Sequence, residues 1–438
     1  MTERYNRRPV FATVSDARYN PAMDNRDFGD ILVRETDREF ILKKRDELRL
    51  TWSQTRILFE TAGDLRLWQE RPLADFWPSP EALKGLQAKV LSKAALKAVL
   101  AAVDRLRREP TDYSTFNAPK LKIQKEKAVF VGGPALKLTG RCPCPPEAEV
   151  LRCCNLRTLD AIQQCSFGCS YCSIQSFYCK GEVKFPSDLP ARLESLELPE
   201  GTWHLGTGQS SDSLLYGDDY GTLSALAGFA RRHPEIVLEL KSKSSRTDWL
   251  GKVSFPANMV PTWSLNAPTI IENEELLTAP SEARLHAARL AADSGSPVGF
   301  HFHPMVYFRG WEDEYAAAVD RLVNLFGPDE VMTVSMGTLT FPGPVIRTLR
   351  QSPRESRILQ MELTPVAGKY SYPRDVKIKM FSFLYSRFPR EWKERVFFYI
   401  CMEEPEIWLP SLGFEYSSNA AFEAAMRKAY FSKISSRL

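Results

Sequence analysis

A chain of 438 residues, 44% hydrophobic and 26% charged, has the length of two or three domains and the composition of a folded globular protein. That composition excludes a small disulfide-stapled fold and wholesale disorder. The net charge of +4, from 58 Lys and Arg against 54 Asp and Glu, favours a nucleic-acid partner only where the surplus is gathered on one face.

The first residues mix Arg4, Arg7, Arg8, Asp16 and Arg18 with Pro9 and lack the apolar stretch of a signal peptide. With no run of 18 or more apolar residues either, the expected setting is cytoplasmic and reducing, without a membrane span. Residues 1–30 read as a polar arm and 37–109 as helical. Thr51 opens a run with Ile57, Leu58, Ala62, Leu65 and Trp68 on one face, and Ser92 is placed to cap the next helix. A turn at Gly63 would make the first of these a helix-turn-helix. Lys120, Lys122, Lys125 and Lys127 then form a basic strip, either a solvated face or a phosphate contact.

From about residue 155 short apolar strands alternate with amphipathic helices. The strands fall at Leu156–Ile162, Thr202–Gly206, Ile236–Leu240, Pro261–Asn266, Val298–Phe302 and Val331–Met336. Helices fall at about 221–232, 281–294 and 312–326, the second stopping at Gly295. Six strands joined by crossovers predict a parallel α/β sheet, and periodicity leaves open whether it is flat or curled. The chain then divides into a mainly helical extension (1–150), an α/β core (151–345) and a mixed, basic C-terminal extension (346–438).

Nine cysteines carry most of the chemical information, and seven of them lie between Cys142 and Cys172. Cys165-Ser-Phe-Gly-Cys169-Ser-Tyr-Cys172 follows the first strand, where α/β sheets build their sites. A structural zinc needs four closed ligands, and no His lies between Cys142 and His204, so zinc would have to recruit Cys142, Cys144, Cys153, Cys154 or Cys179. A [4Fe-4S] cluster on three thiolates instead leaves its fourth iron open. The open cluster is the expectation.

A CxxxCxxC motif with an aromatic residue before its last cysteine, opening a run of strand and helix units, resembles the radical SAM superfamily. The resemblance implies a partial (β/α)6 barrel in which the open iron chelates S-adenosylmethionine (SAM). One electron from a donor such as flavodoxin or ferredoxin then yields a 5'-deoxyadenosyl radical. It narrows to the spore photoproduct lyase family over roughly residues 155–345. Ser210-Ser211-Asp212, Leu240-Lys241-Ser242-Lys243, Trp263-Ser264-Leu265-Asn266 and the stretch from Gly299-Phe300 through Pro304 to Gly310-Trp311 resemble that family's strand-end segments. By this likeness Ser211, Lys243 and Ser264 contact SAM and Tyr171 sits beside the cluster.

The chemistry of SAM agrees. Lys243 suits its carboxylate, Ser211, Ser264 and Asn266 can hydrogen-bond the remainder, and Asp212 is structural or a ribose partner. The family's hydrogen-returning cysteine is replaced by Gln209, whose amide N–H is too strong a bond for that task, and its following tyrosine by Ser173. His301 and His303, two apart on a strand, share a face and are either placed for acid/base work, stacking or phosphate contact, or a satisfied strand-end pair. Cys142, Cys144, Cys153 and Cys154 are candidates for a second metal, a replacement hydrogen donor, or neither. Tyr307, Phe308, Trp311 and Tyr315 are a core stripe or a base-stacking surface. His204, His233 and His286 belong to no recognisable constellation. The functional expectation is a radical SAM lyase acting on nucleic acid, of the DNA photoproduct repair type. Radical modification of another nucleotide or RNA, and a zinc-stabilised nucleic-acid-binding protein, are the alternatives.

Overall fold

The computed structural model describes residue 28 and residues 31–120, 126–132, 139–141, 150–173 and 181–437. Cys142, Cys144, Cys179, Lys122 and Lys125 lie outside these, as does nearly all of the 1–30 arm. The chain forms two compact units, residues 1–109 with 347–360 and residues 110–346 with 361–438.

In the first unit α1 (Glu35–Leu48), α2 (Trp52–Leu67) and α3 (Ala88–Arg108) account for the helical texture. Thr51 starts α2 through a reciprocal capping box, its backbone N–H donating to Gln54 Oε1 at 2.9 Å. Two expectations are corrected here. Ser92 lies inside α3, whose N-cap is Gln87, because the residues upstream are good helix formers and the helix begins before the serine. Gly63 lies within α2, where a Cβ would come within 3.3 Å of Ile31, so it serves close packing and no helix-turn-helix turn exists there. Buried Asp64 joins α2 to α3 and to residue 350, accepting from Arg107 at 2.9 Å and Arg350 at 2.9 Å.

The second unit begins with β1 (Lys127–Val131), β2 (Thr139–Arg141), β3 (Arg157–Leu159), β4 (Glu182–Pro186) and α4 (Leu189–Glu194). There follow β5 (His204–Thr207), α5 (Thr222–Arg232), β6 (Val237–Ser242), β7 (Met259–Ser264), α6 (Pro268–Glu274) and α7 (Ser281–Asp293). Next come β8 (Val298–Met305), α8 (Trp311–Leu325), β9 (Val331–Thr338), β10 (Thr340–Pro342) and α9 (Gly343–Arg350), the last passing into the first unit. β11 (Thr364–Val366), β12 (Lys369–Ser371), α10 (Arg374–Arg387), α11 (Arg390–Arg395), β13 (Phe397–Ile400), α12 (Pro405–Leu412) and α13 (Asn419–Ser435) complete it.

Its main sheet has the order β13-β9-β8-β7-β6-β5-β3-β2, parallel except for β2, and curls into a half-barrel. All six expected strands are present in sequential order, and the helices at 222–232, 281–293 and 311–325 are the expected crossovers. Gly295, at φ +92°, stops α7 as the spacing predicts. A three-stranded antiparallel sheet, β10-β12-β11, stands beside the barrel.

Strand alternation sorts the barrel residues into two faces. Phe300 and Phe302 point outward onto Phe326 and Tyr315, at ring separations of 5.1 Å and 6.4 Å. The same periodicity turns Glu239, Lys241, Thr262, Ser264, His301, His303 and Ser335 inward, and the barrel interior is therefore polar. Gly299 admits the threonines on either side, since a Cβ there would lie 2.8 Å from Thr262 and 3.1 Å from Thr333. The C-terminal region supplies a seventh parallel strand, β13, paired with β9. Four residues between helices carry too little alternation to announce a strand, which is why it escapes the sequence reading. Among the described residues no helix is long and apolar enough to cross a membrane.

Candidate functional site

A cavity of about 300 Å³ opens at the carboxyl ends of the barrel strands. Cys165, Cys169 and Cys172 line it, together with Tyr171, Gln209, Ser211, Asp212, Lys243, Ser264 and His303. Of the residues expected to bind SAM only Asn266 is outside the lining. Its amide donates to Glu275 Oε1 at 3.0 Å and to the Pro304 carbonyl at 3.1 Å, and its oxygen accepts from Tyr315 at 2.7 Å and from the Ala267 N–H at 3.0 Å. Those four bonds use up its capacity.

The cysteine loop leaves β3 and is fastened on two sides. The Gln164 N–H donates to the Ser210 carbonyl at 2.9 Å, and the Ser211 hydroxyl returns to the Gln164 carbonyl at 2.6 Å. At the end of α6, Glu274 takes the Ser170 hydroxyl and the Tyr113 hydroxyl, the latter at 2.8 Å, while its neighbour Glu275 takes the Tyr171 hydroxyl. Arg284, fully buried, donates to Glu275 at 2.6 Å and to the Ser264 carbonyl at 2.8 Å. Burial pushes the Glu275 carboxyl up, but Arg284 and then Lys243 outweigh it and hold the group down at about 2. Burial first, and the Glu275 charge second, push the Cys169 thiol up to about 12. A thiolate in such a place requires a cation against it. Among the described residues no three His, Cys, Asp or Glu gather around a single-ion position. Three cysteines that each bind a different iron of a cube need not converge on one point.

The strand-end segments are built around Asp212. Its carboxylate accepts from the backbone N–H of Lys243 at 2.6 Å, Leu215 at 2.9 Å and Leu214 at 3.1 Å, and from the Ser242 hydroxyl at 2.8 Å. These four bonds staple the β5 exit to the β6 end. Gly208, at φ +86°, allows that contact, since a Cβ there would stand 2.7 Å from the Lys241 carbonyl. The stapling sets Lys243 with its Nζ 6.0 Å from the centre of the Tyr171 ring. Ser264, at the end of β7, is 1% exposed, and its hydroxyl has no hydrogen-bond partner.

The two strand-five histidines have different fates. His301 sits between Glu239, 2.8 Å from Nε2, and the Ser335 hydroxyl at Nδ1. Burial and then Lys241 push its pKa down, so the neutral ring donates to Glu239 and accepts from Ser335. His204 joins the same carboxylate at 3.1 Å, a constellation invisible in the sequence because its members lie on three different strands. His303 faces the cavity and packs on Gly337, where a Cβ would lie 2.8 Å from the ring. Of the aromatic stripe, Phe308, Trp311 and Tyr315 are core, at most 1% exposed, whereas Tyr307 is half-buried.

The far wall comes from the C-terminal region, through Thr340, Phe341, Lys369, Tyr399 and Cys401. No motif marks these residues. Cys154 also reaches the cavity, whereas Cys153 packs with Leu151 against Val366 and Met402.

A spore photoproduct lyase family model matches residues 213–362, which include Lys243, Ser264 and His303 but not the cysteine loop. Spore photoproduct lyase of Bacillus subtilis (strain 168) is 37% identical over 60 residues, 14% of this chain and 18% of that relative's length. A double mutant of spore photoproduct lyase with bound AdoMet and dinucleoside spore photoproduct has a TM-score of 0.50 at 18% identity, over 73% of this chain and 96% of that one. Spore photoproduct lyase complexed with dinucleoside spore photoproduct has a TM-score of 0.49 at 17% identity, over 62% and 82%. The chain is thus similar to the spore photoproduct lyase family, in sequence over residues 213–362 and in the fold of its half-barrel.

Proposed function

We propose that the chain is a radical SAM enzyme acting on nucleic acid, in which Cys165, Cys169 and Cys172 hold a [4Fe-4S] cluster, and that its reaction is DNA photoproduct repair of the spore photoproduct lyase type. One observation carries the reading: the three motif cysteines, the Lys243 cation and the orphaned Ser264 hydroxyl share one cavity. A buried hydroxyl without a partner costs about 1–3 kcal/mol, and a polar ligand such as SAM relieves that cost. Burial pushes the Cys165 and Cys169 thiols up, and an entering iron cluster would displace the thiol protons to solvent as it binds.

When bound, cluster and SAM together supply hydrogen-atom abstraction from carbon, with an external low-potential donor giving the electron. The chain's own residues prepare that chemistry. Lys243 faces the SAM carboxylate, with its backbone fixed by Asp212. Ser264 offers its unpartnered hydroxyl to the polar atoms of SAM, Ser211, whose proton goes to the Gln164 carbonyl, offers its oxygen as an acceptor, and Tyr171, pinned through its hydroxyl to Glu275, holds one side of the cysteine loop. Leu156, Phe167 and Phe341 wall the cavity and exclude water. A second reading, radical modification of another nucleotide or RNA, is favoured by Gln209 lining the cavity where the family carries its hydrogen-returning cysteine.

The test is anaerobic reconstitution followed by reduction with SAM and irradiated DNA in a reducing, cytoplasm-like buffer. The reading requires bound iron, 5'-deoxyadenosine and disappearance of lesions. 5'-Deoxyadenosine with unchanged lesions transfers the case to the second reading. Zinc in place of iron, with no SAM cleavage, overturns both and leaves a nucleic-acid-binding protein.

A further inference from the structure

A reaction that takes a hydrogen atom from carbon leaves a carbon radical, and a closed-shell product needs one hydrogen atom returned. An S–H bond is weak enough to give that atom up, whereas N–H bonds and alcohol O–H bonds are too strong. Among the described side chains that line the cavity, Gln209, the lysines and the histidines offer only N–H bonds, and the serines and threonines only alcohols. Tyr171 gives its hydroxyl to Glu275, and Cys165, Cys169 and Cys172 are the cluster ligands of the reading above. Cys154, Cys401 and the phenol of Tyr399 are left.

Strand register tells these three apart. Ser264, His301, Ser335 and Tyr399 are paired in one rung across β7, β8, β9 and β13. Three strand steps of about 4.8 Å place Tyr399 at most about 14 Å from Ser264, on the far side of the half-barrel. The Ser264 hydroxyl, 1% exposed and without a partner, marks where a polar ligand enters, and it does so independently of any thiol. Cys401 follows the last residue of β13 and lines the cavity two positions after Tyr399, on the same inward face. Its backbone N–H donates to the Met336 carbonyl at 2.7 Å, so it extends the parallel ladder by one residue toward the mouth. Tyr399, buried, lies one level deeper. Cys154, also buried, precedes β3, which runs parallel to β5, and so stands at the amino ends of the strands. Of the three only Cys401 is half-buried at the carboxyl ends, the level at which Lys243 follows β6.

We propose that Cys401 is a further catalytic residue, the hydrogen-atom donor that returns hydrogen to the product radical from the wall opposite the cysteine loop. This rests on the radical reading above and supplies its last step. The new C–H bond forms as the Cys401 S–H bond breaks homolytically, which leaves a thiyl radical on the sulfur. One electron from the same low-potential donor and one proton from solvent restore the thiol, so each turnover takes two electrons, the first for SAM cleavage and the second for Cys401.

The experiment uses the full-length protein, loaded anaerobically with iron and SAM and reduced in D2O, with the photoproduct of irradiated thymidylyl-(3'→5')-thymidine as the probe. A thiol exchanges its hydrogen with solvent, so the repaired dinucleotide gains one deuterium, read by mass spectrometry, and this arm needs no variant to fold. Cys401→Ala repairs at least about tenfold more slowly and loses the solvent deuterium, yet still forms 5'-deoxyadenosine. Cys154→Ala retains both repair and deuterium. As a readout separate from turnover, bound probe slows alkylation of Cys401 by iodoacetamide, located by peptide mapping. Repaired product without deuterium, undiminished deuterium in the Cys401→Ala product, loss of deuterium in Cys154→Ala instead, or alkylation that the probe leaves unaffected each overturns the proposal while the radical reading stands. 5'-Deoxyadenosine with unchanged photoproduct removes the repair reading and the proposal together, and absence of SAM cleavage removes the radical reading itself.

Discussion

The Tyr171 hydroxyl donates to the Glu275 carboxylate, which also receives Arg284 at 2.6 Å. Through this pair the CxxxCxxC loop is tied, one residue before its last cysteine, to a buried ion pair at the end of α6, and the loop is held by residues a hundred positions downstream in sequence. The cysteines alone do not fix their own geometry; the carboxylate behind them does.

Glu275→Gln is expected to destabilise the protein by about 3–5 kcal/mol at pH 7, because it leaves the Arg284 charge buried and unpaired. The folded carboxyl sits at about 2 against an ordinary 4.5. Its depressed value contributes stability that is complete above about 4.5 and is lost as pH falls toward 2. Thermal unfolding of both proteins from pH 7 to pH 3 checks this. The gap between them narrows on acidification, and a constant gap would contradict the role of the ionised group.

Ser264→Ala separates folding from ligand binding. Removing a hydroxyl that has no partner leaves the stability of the unliganded protein unchanged or raises it by about 1 kcal/mol. The same change weakens SAM binding by about three- to tenfold. Paired denaturation and SAM titration measure the two effects, and a loss of stability without a loss of SAM affinity would place the hydroxyl elsewhere.

Cys169→Ala abolishes the brown colour and SAM cleavage, whereas Lys243→Met retains iron and loses SAM affinity by about tenfold or more. Iron analysis and equilibrium dialysis on the same preparations discriminate. Iron lost from the lysine variant would show that Lys243 supports the loop through the Tyr171 ring rather than SAM.

Gly337→Ala puts a methyl within 3.0 Å of several His303 ring atoms and forces the imidazole to move. The cost is about 1–3 kcal/mol, typical of overpacking. Thermal unfolding of the variant beside the parent chain checks this, and an unchanged midpoint would contradict the tight packing of His303 on Gly337.

Much of this was legible in the chain itself. The six strands, their order and the three long crossover helices follow from apolar runs that alternate with amphipathic ones, and the cysteine motif points to the correct end of the sheet. The segments at Ser211, Lys243 and Ser264 converge on one cavity because each lies at a strand end, a position set by topology. Glu275, Arg284 and Glu239 were not legible. A buried carboxylate bonded across strands leaves no local periodicity, and nothing in the neighbouring sequence distinguishes Glu239 from a surface glutamate. Asn266 shows the converse: it lies in a segment that resembles the family, yet its amide is spent on the turn that follows β7. The C-terminal wall was hidden for a third reason, since Tyr399 lies in, and Cys401 directly after, a strand too short to show its period.

That wall bears on how the protein comes to exist. Cys165 is made early and Tyr399 and Cys401 late, so a ribosome-bound chain displays its three motif thiols before the opposite side of their chamber has been synthesised. Pairing of β13 with β9 is among the most sequence-distant steps of strand assembly, and such long loops close slowly. Iron loading on the emerging polypeptide would therefore meet solvent-exposed sulfur, and delivery after release from the ribosome is the order of events that this topology favours.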